Sequence, residues 1–153
     1  MKNLYHTVNL IPPVSNAFGG VVVTPPINMK NWGHVSFLLH GGVGAVGTAQ
    51  VTIEACSDTV PTSTTPIGFF YQECINADTF GPITQAPITG LTTSAANNKI
   101  YKIEVDGLFL ASTGFGYVRL KSNETVVGSI VGSITAVLTE GRFVSEIPTS
   151  VLV

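Results

Sequence analysis

The chain has 153 residues, a length that suits one domain with its own core. Hydrophobic residues make up 44% and charged residues only 10%, against about 25% charged in an average soluble domain, so the surface reads as neutral and polar, or as covered by something else. The net charge is −2 with no basic run, which argues against direct nucleic-acid binding, where phosphate contacts dominate affinity.

In chain order, Met1-Lys-Asn-Leu-Tyr-His lacks the unbroken apolar stretch and small-residue cleavage site of a secretory signal, and is not expected to be one. No apolar run approaches the ~20 residues of a membrane helix. Residues 1–18 read as an irregular arm, because Pro12-Pro13 stops a strand and residues 16–20 are turn chemistry. Val21-Val-Val-Thr24 reads as a short strand closed by Pro25-Pro26, so the opening is expected to pair at a sheet edge, where proline is tolerated. Strands are then expected over residues 34–40, 49–56, 67–73, 100–106 and 115–121, with a long strand or strand pair over 126–139. Thr, Ser, Pro, Gly and Asn fill the connections; the longest is 76–98, with one short strand at 88–92. No segment places apolar residues at helical spacing over ten or more positions. The expectation is an all-β, antiparallel β-sandwich or jelly-roll-like single domain over residues 19–141, with extended arms at 1–18 and 142–153.

Alternation also assigns faces. Val35, Phe37 and Leu39 should point inward, as should Val51, Ile53 and Ala55, then Tyr101, Ile103 and Val105, then Val118 and Leu120. Ile130, Ile134, Ala136 and Leu138 should do the same on the last strand, whose second face is also apolar and calls for a loop, an arm or a neighbouring subunit to cover it. The apolar tail 142–153 is expected to pack along its own domain or to reach onto a partner.

Gly42-Val-Gly-Ala-Val-Gly47 matches the G-x-G-x-x-G dinucleotide fingerprint in form. The fingerprint needs a helix after the glycines to hold the pyrophosphate. Here alternation follows: Val51, Ile53 and Ala55 against Gln50, Thr52 and Glu54. The glycines therefore join two strands, and their thin backbone is free to approach another surface. His34 and His40 share a strand face but sit about 20 Å apart at ~3.3 Å per residue, too far to share a metal. His40-Gly41-Gly42 lacks the G-x-S-x-G elbow that a hydrolase would add. Cys56 and Cys74 read as thiols of a protein made in a reducing cytoplasm; a bridge would need Cα atoms within about 7 Å. Neither has a flanking motif for nucleophilic work beside a histidine. The acidic residues are scattered, and Glu104 beside Lys102 reads as a solvated ladder position. Asn123-Glu-Thr125 is a glycosylation sequon only by spelling if there is no secretory signal. With no triad, metal set or phosphate loop, neither catalysis nor a cofactor is expected.

The aromatic residues point to contacts. Trp32 reads as a cap on the rim of the core, or alternatively as an interface anchor or sugar-stacking platform. Phe69, Phe70 and Tyr71 place aromatics on both strand faces, one for the core and one for a subunit contact. Phe109, Phe115 and Tyr117 add aromatic surface around Gly107 and Gly114. The candidate interface is Trp32, Gly42, Gly44, Gly47, Phe69, Phe70, Tyr71, Phe143 and Ile147.

Three blocks together resemble a family: Met29-Lys-Asn-Trp-Gly-His-Val-Ser-Phe37 followed by the glycine loop and Gly47-Thr-Ala-Gln-Val-Thr-Ile-Glu-Ala55; Ile100-Tyr-Lys-Ile-Glu-Val-Asp106; and Gly114-Phe-Gly-Tyr-Val-Arg-Leu120 with Val131-Gly-Ser-Ile-Thr-Ala-Val-Leu138 and Gly141-Arg-Phe143. Their order resembles small tailed-bacteriophage head-decoration, or capsid-stabilising, proteins over most of residues 27–143. The loops 58–66 and 76–98 and the tail fall outside it. The resemblance implies a β-sandwich or jelly-roll, often trimeric, on the capsid surface and bridging major capsid protein subunits, with no catalytic residues, no nucleic acid and no membrane. It also implies a virion protein made in the host cytoplasm. From another class, a carbohydrate- or receptor-binding β module of a phage tail or fibre would need aromatics on one concave face with Asn, Asp or Gln nearby.

Overall fold

The period-two alternation of the sequence resolves into two antiparallel sheets packed face to face. The computed structural model describes residues 5–43, 46–95, 97–142 and 151–152. In chain order the strands are β1 (Tyr5–Val14), β2 (Val21–Val23), β3 (Ile27–Asn28), β4 (Trp32–Gly41), β5 (Thr48–Cys56), β6 (Thr64–Ile67) and β7 (Phe69–Asn76). Then come β8 (Thr79–Phe80), β9 (Thr84–Ala86), β10 (Leu91–Thr92), β11 (Lys99–Asp106), the helix α1 (Gly107–Ser112), β12 (Tyr117–Val126) and β13 (Gly132–Gly141). The larger sheet runs β1-β13-β4-β11-β7-β8, with β9 also on β7. The smaller runs β10-β5-β12-β2, with β3 on β12 and β6 on β5.

The expected inward faces are the core. Phe37 lies opposite Ala136 on one side and Ile103 on the other, and in the facing sheet Ile53 lies opposite Leu120. All five side chains are fully buried. Burying a large apolar side chain contributes about 1.5–3 kcal/mol, so these rows hold the sheets together. Ile130 departs from the pattern: it lies in the loop before β13 and is only half-buried.

Four expectations change. Residues 5–14 are not irregular but a ten-residue edge strand on β13, with Val8 and Leu10 in the core. Pro12-Pro13 fits because the register shifts between Asn9 and Ile11 and again between Ile11 and Val14, so no ladder bond is asked of the prolines. The single strand expected over 67–73 breaks at Gly68, with β6 in the smaller sheet and β7 in the larger. The strand or strand pair expected over 126–139 is largely one strand: β12 ends at Val126, residues 127–131 form a loop, and β13 begins at Gly132 in the opposite sheet. A six-residue helix, α1, follows β11; Asp106 caps it by accepting from the Leu108 N–H (2.6 Å) and the Phe109 N–H (3.3 Å). Among the described residues no helix is long and apolar enough to cross a membrane.

Candidate functional site

The glycine loop is a crossover, not a hairpin. β4 belongs to one sheet and β5 to the other, so residues 42–47 carry the chain between them. Residues 127–131 carry it back, from β12 to β13, at the same end of the sandwich. The two crossovers are stitched together. The Gly42 N–H donates to the Val131 carbonyl (2.6 Å), and the Val131 N–H donates to the Val43 carbonyl (3.1 Å). Gly47 and Gly128 touch so closely that a Cβ on Gly47 would sit 2.5 Å from the Gly128 carbonyl oxygen. Two small residues there allow backbone to pack on backbone. Glu124 closes the arrangement: its carboxylate accepts from the Gly20 N–H (2.9 Å) and the Gly128 N–H (3.1 Å), and these bonds hold its pKa below the usual carboxylate value.

What this end shows to solvent is valine. Val43 is 70% exposed, Val127 85%, and Val14, Val46, Val126 and Val131 are exposed beside them. Residues 14–23, 41–47 and 126–131 contain no Lys, Arg, Asp or Glu. A gathered apolar surface of this kind suits contact with another surface, and the charge of Glu124 beside it is turned onto the Gly20 and Gly128 N–H groups. A second apolar patch lies away from it, where Phe70 and Phe109 face one cleft with Gln85, Glu104 and Asp106, and Leu108 stands exposed on the same helix.

The expected interface residues divide accordingly. Trp32 follows the first of its two readings, a cap on the core: it is 2% exposed and stacked with His6, ring centroids 6.0 Å apart, so its place in the candidate interface is a correction. Its indole Nε1 has no hydrogen-bond partner among the described residues. Phe69 is a second correction, since β7 turns it inward beside Tyr71, which is half-buried against the core; Phe70, between them, faces out. Gly47 is buried against Gly128, and Gly42 is half-buried and bonded through its backbone. Gly44, Phe143 and Ile147 lie outside the described residues. Of the arms, Val151 is buried, and its carbonyl accepts from the Asn28 N–H (3.0 Å) beside β3, so this end of the chain packs on its own domain.

Two polar clusters went unnoticed in the sequence because their members lie far apart in it. On β5 and β12, Glu54 is 8% exposed and receives Arg119 through Nε (2.8 Å) and Nη2 (2.7 Å), with Lys121 at 3.8 Å. At the edge of the larger sheet, Glu73 accepts from Lys99 (2.7 Å) and from the Ser94 hydroxyl (2.9 Å), while the Tyr101 hydroxyl accepts from the Ser94 N–H (2.7 Å). This clasp fastens the end of the long 76–98 connection to β7 and β11. Burial pushes the Glu73 carboxyl up, but Lys99 and Ser94 outweigh it and hold the group below its ordinary value. Burial raises the Tyr101 phenol despite the Ser94 bonds. Cys56 and Cys74 are both buried thiols, on different sheets. Burial pushes Cys56 up to about 11, with Arg119 opposing, so it stays protonated at neutral pH.

The fold is thus that of a two-sheet antiparallel β-sandwich protein. Among solved structures, the chain is similar to the SPBc2 prophage-derived protein YomS, with a TM-score of 0.47 and 9% identity over 89% of this chain and 93% of that one. It is also similar to a chain of the infectious bursal disease virus Gt strain, with a TM-score of 0.29 and 12% identity over 93% of this chain and 34% of that one. For the infectious bursal disease virus VP2 subviral particle the TM-score is 0.26 and the identity 13%, over 90% of this chain and 41% of that one. The chain spans less than half the length of either viral chain. No family description and no curated protein matches the sequence.

Proposed function

We propose that this chain is a structural virion protein that binds the outside of a bacteriophage capsid and stabilises it by bridging major capsid subunits, without catalysis. The observation that carries this reading is the exposed valine cluster built on the two glycine-bearing crossovers. Bridging needs a second surface, and the Phe70–Phe109 patch supplies it. The energetics favour many copies over one. Covering a half-exposed valine contributes about 1 kcal/mol. Six of them contribute about 6 kcal/mol, near the lower end of the roughly 4–15 kcal/mol that association costs in lost freedom. One such end holds weakly alone, whereas a homotrimer presenting several ends to a shell holds firmly. Two buried thiols suit manufacture in a host cytoplasm.

Light scattering after size exclusion, followed by sedimentation with empty heads of the phage whose genome carries the gene, tests the proposal. Trimers that pellet with the shells support it. A monomer that stays in the supernatant sinks it.

A further inference from the structure

Six Lys and Arg side chains fall among the described residues. Four are ion-paired: Lys99 with Glu73, Lys102 with Glu104, and Arg119 and Lys121 with Glu54. The two that form no ion pair among the described residues, Lys30 and Arg142, line the same cleft, of about 300 Å³. It opens where residues 28–30 pass the end of α1 and the start of β12, opposite the valine end. Phe115 and Tyr117 line it as well, both half-buried and so half-presented. Asn28 holds the wall in place: its Nδ2 donates to the Tyr117 hydroxyl (3.5 Å), and its Oδ1 accepts from the Lys30 N–H (2.9 Å). The Arg142 N–H donates to the Asn31 carbonyl (2.9 Å), which fixes the base of that side chain at the rim. No Asp or Glu is among the described lining residues. Glu140, two residues before Arg142, turns its carboxylate over Gly33 instead.

We propose that this cleft binds a carboxylate-bearing sugar ring of an acidic glycan. Among the described residues the other four cations are spent on internal carboxylates, and these two, gathered in one cleft, suit an anion from outside. The guanidinium and ammonium suit a carboxylate. The Phe115 and Tyr117 rings suit the C–H face of a sugar, and the Asn28 amide with the Tyr117 hydroxyl suits its ring hydroxyls. A small free anion uses the cations and leaves the aromatic wall empty; a neutral sugar uses the wall and leaves both charges unanswered. The inference does not rest on capsid binding: the cleft residues Lys30, Phe115, Tyr117 and Arg142 belong neither to the valine end nor to the Phe70–Phe109 patch, and the ligand titration needs no shell.

The test is an amide-resolved NMR titration of the whole chain with glucuronic acid, glucose, sodium acetate and a short acidic peptide. Glucuronic acid should shift the amides of residues 28–30 and 115–117 and bind at least about ten-fold more tightly than glucose or acetate, the worth of one charge-assisted contact. Lys30→Gln and Arg142→Gln should each weaken it about ten-fold while leaving the remaining amide spectrum in place. Acetate binding as tightly as glucuronic acid would reduce the cleft to a simple anion site and overturn the proposal. Tighter binding of the acidic peptide would overturn it in favour of a protein partner, and no shift with any probe would overturn it outright.

Discussion

Gly90 shows how a single position fixes the edge of the smaller sheet. Its φ is +87°, and a Cβ there would lie 2.1 Å from the Val51 carbonyl oxygen. Left-handed backbone costs a non-glycine residue about 1 kcal/mol, and the clash adds a further ~1–3 kcal/mol. Gly90→Ala should therefore lower the unfolding free energy by more than about 2 kcal/mol in a urea titration; an unchanged midpoint would contradict the geometry. Glu73 makes a pH-dependent contribution. Its folded pKa lies below its ordinary value of 4.5, so its stabilisation is present above that pH and is lost as pH falls through the folded value. Thermal melts of the wild type and Glu73→Gln should differ most near neutral pH and converge as pH falls below 4.5. Glu124 titrates in the same direction but is common to both proteins, so the difference isolates Glu73. A gap that stays constant with pH would show that the clasp carries no linkage.

At the scale of elements, the chain end and the two crossovers decide how the sandwich closes. Removing residues 151–153 takes Val151 out of the core and leaves the Asn28 N–H without its acceptor. A buried valine and a hydrogen bond together contribute about 2–4 kcal/mol, so the melting temperature should fall by roughly 4–16 °C for a domain of this size. An unchanged melting temperature would mean that this end is not part of the fold. The sequence made β4, β5, β11 and β12 legible, because each has one face in the core and one facing out, and alternation reports that contrast directly. β1 was hidden by Pro12-Pro13, whose bulges only the pairing with β13 reveals. α1 is shorter than two turns, too short for periodicity; Asp106 before it and Gly114 after it were the readable signals. The candidate site was half legible. The glycine run singled out residues 42–47, but Val127 and Val131 looked like strand, and only the paired crossovers bring them beside Val43. Lys30 and Arg142 were not legible as a pair, since nothing in the chain says which cations lack acidic partners.

At the scale of the whole molecule, low charge, a valine-rich end and a separate aromatic patch are the features on which the proposed contacts rest. Its polar chemistry is spent largely on holding its own strands: Glu54 with Arg119, Glu73 with Lys99, Glu124 with two backbone N–H groups. What faces outward at the crossover end has no internal purpose, since Val43, Val46 and Val127 contribute little to the core they leave. The most direct measurement of the central claim is shell sedimentation of a Val43→Asp, Val127→Asp double variant beside the wild type. Both positions are exposed, so the variant should keep its melting temperature within about 2 °C. It should lose at least about 100-fold in shell affinity, because two carboxylates would have to be buried unpaired. A folded variant that pellets with the shells as well as the wild type does would contradict the account.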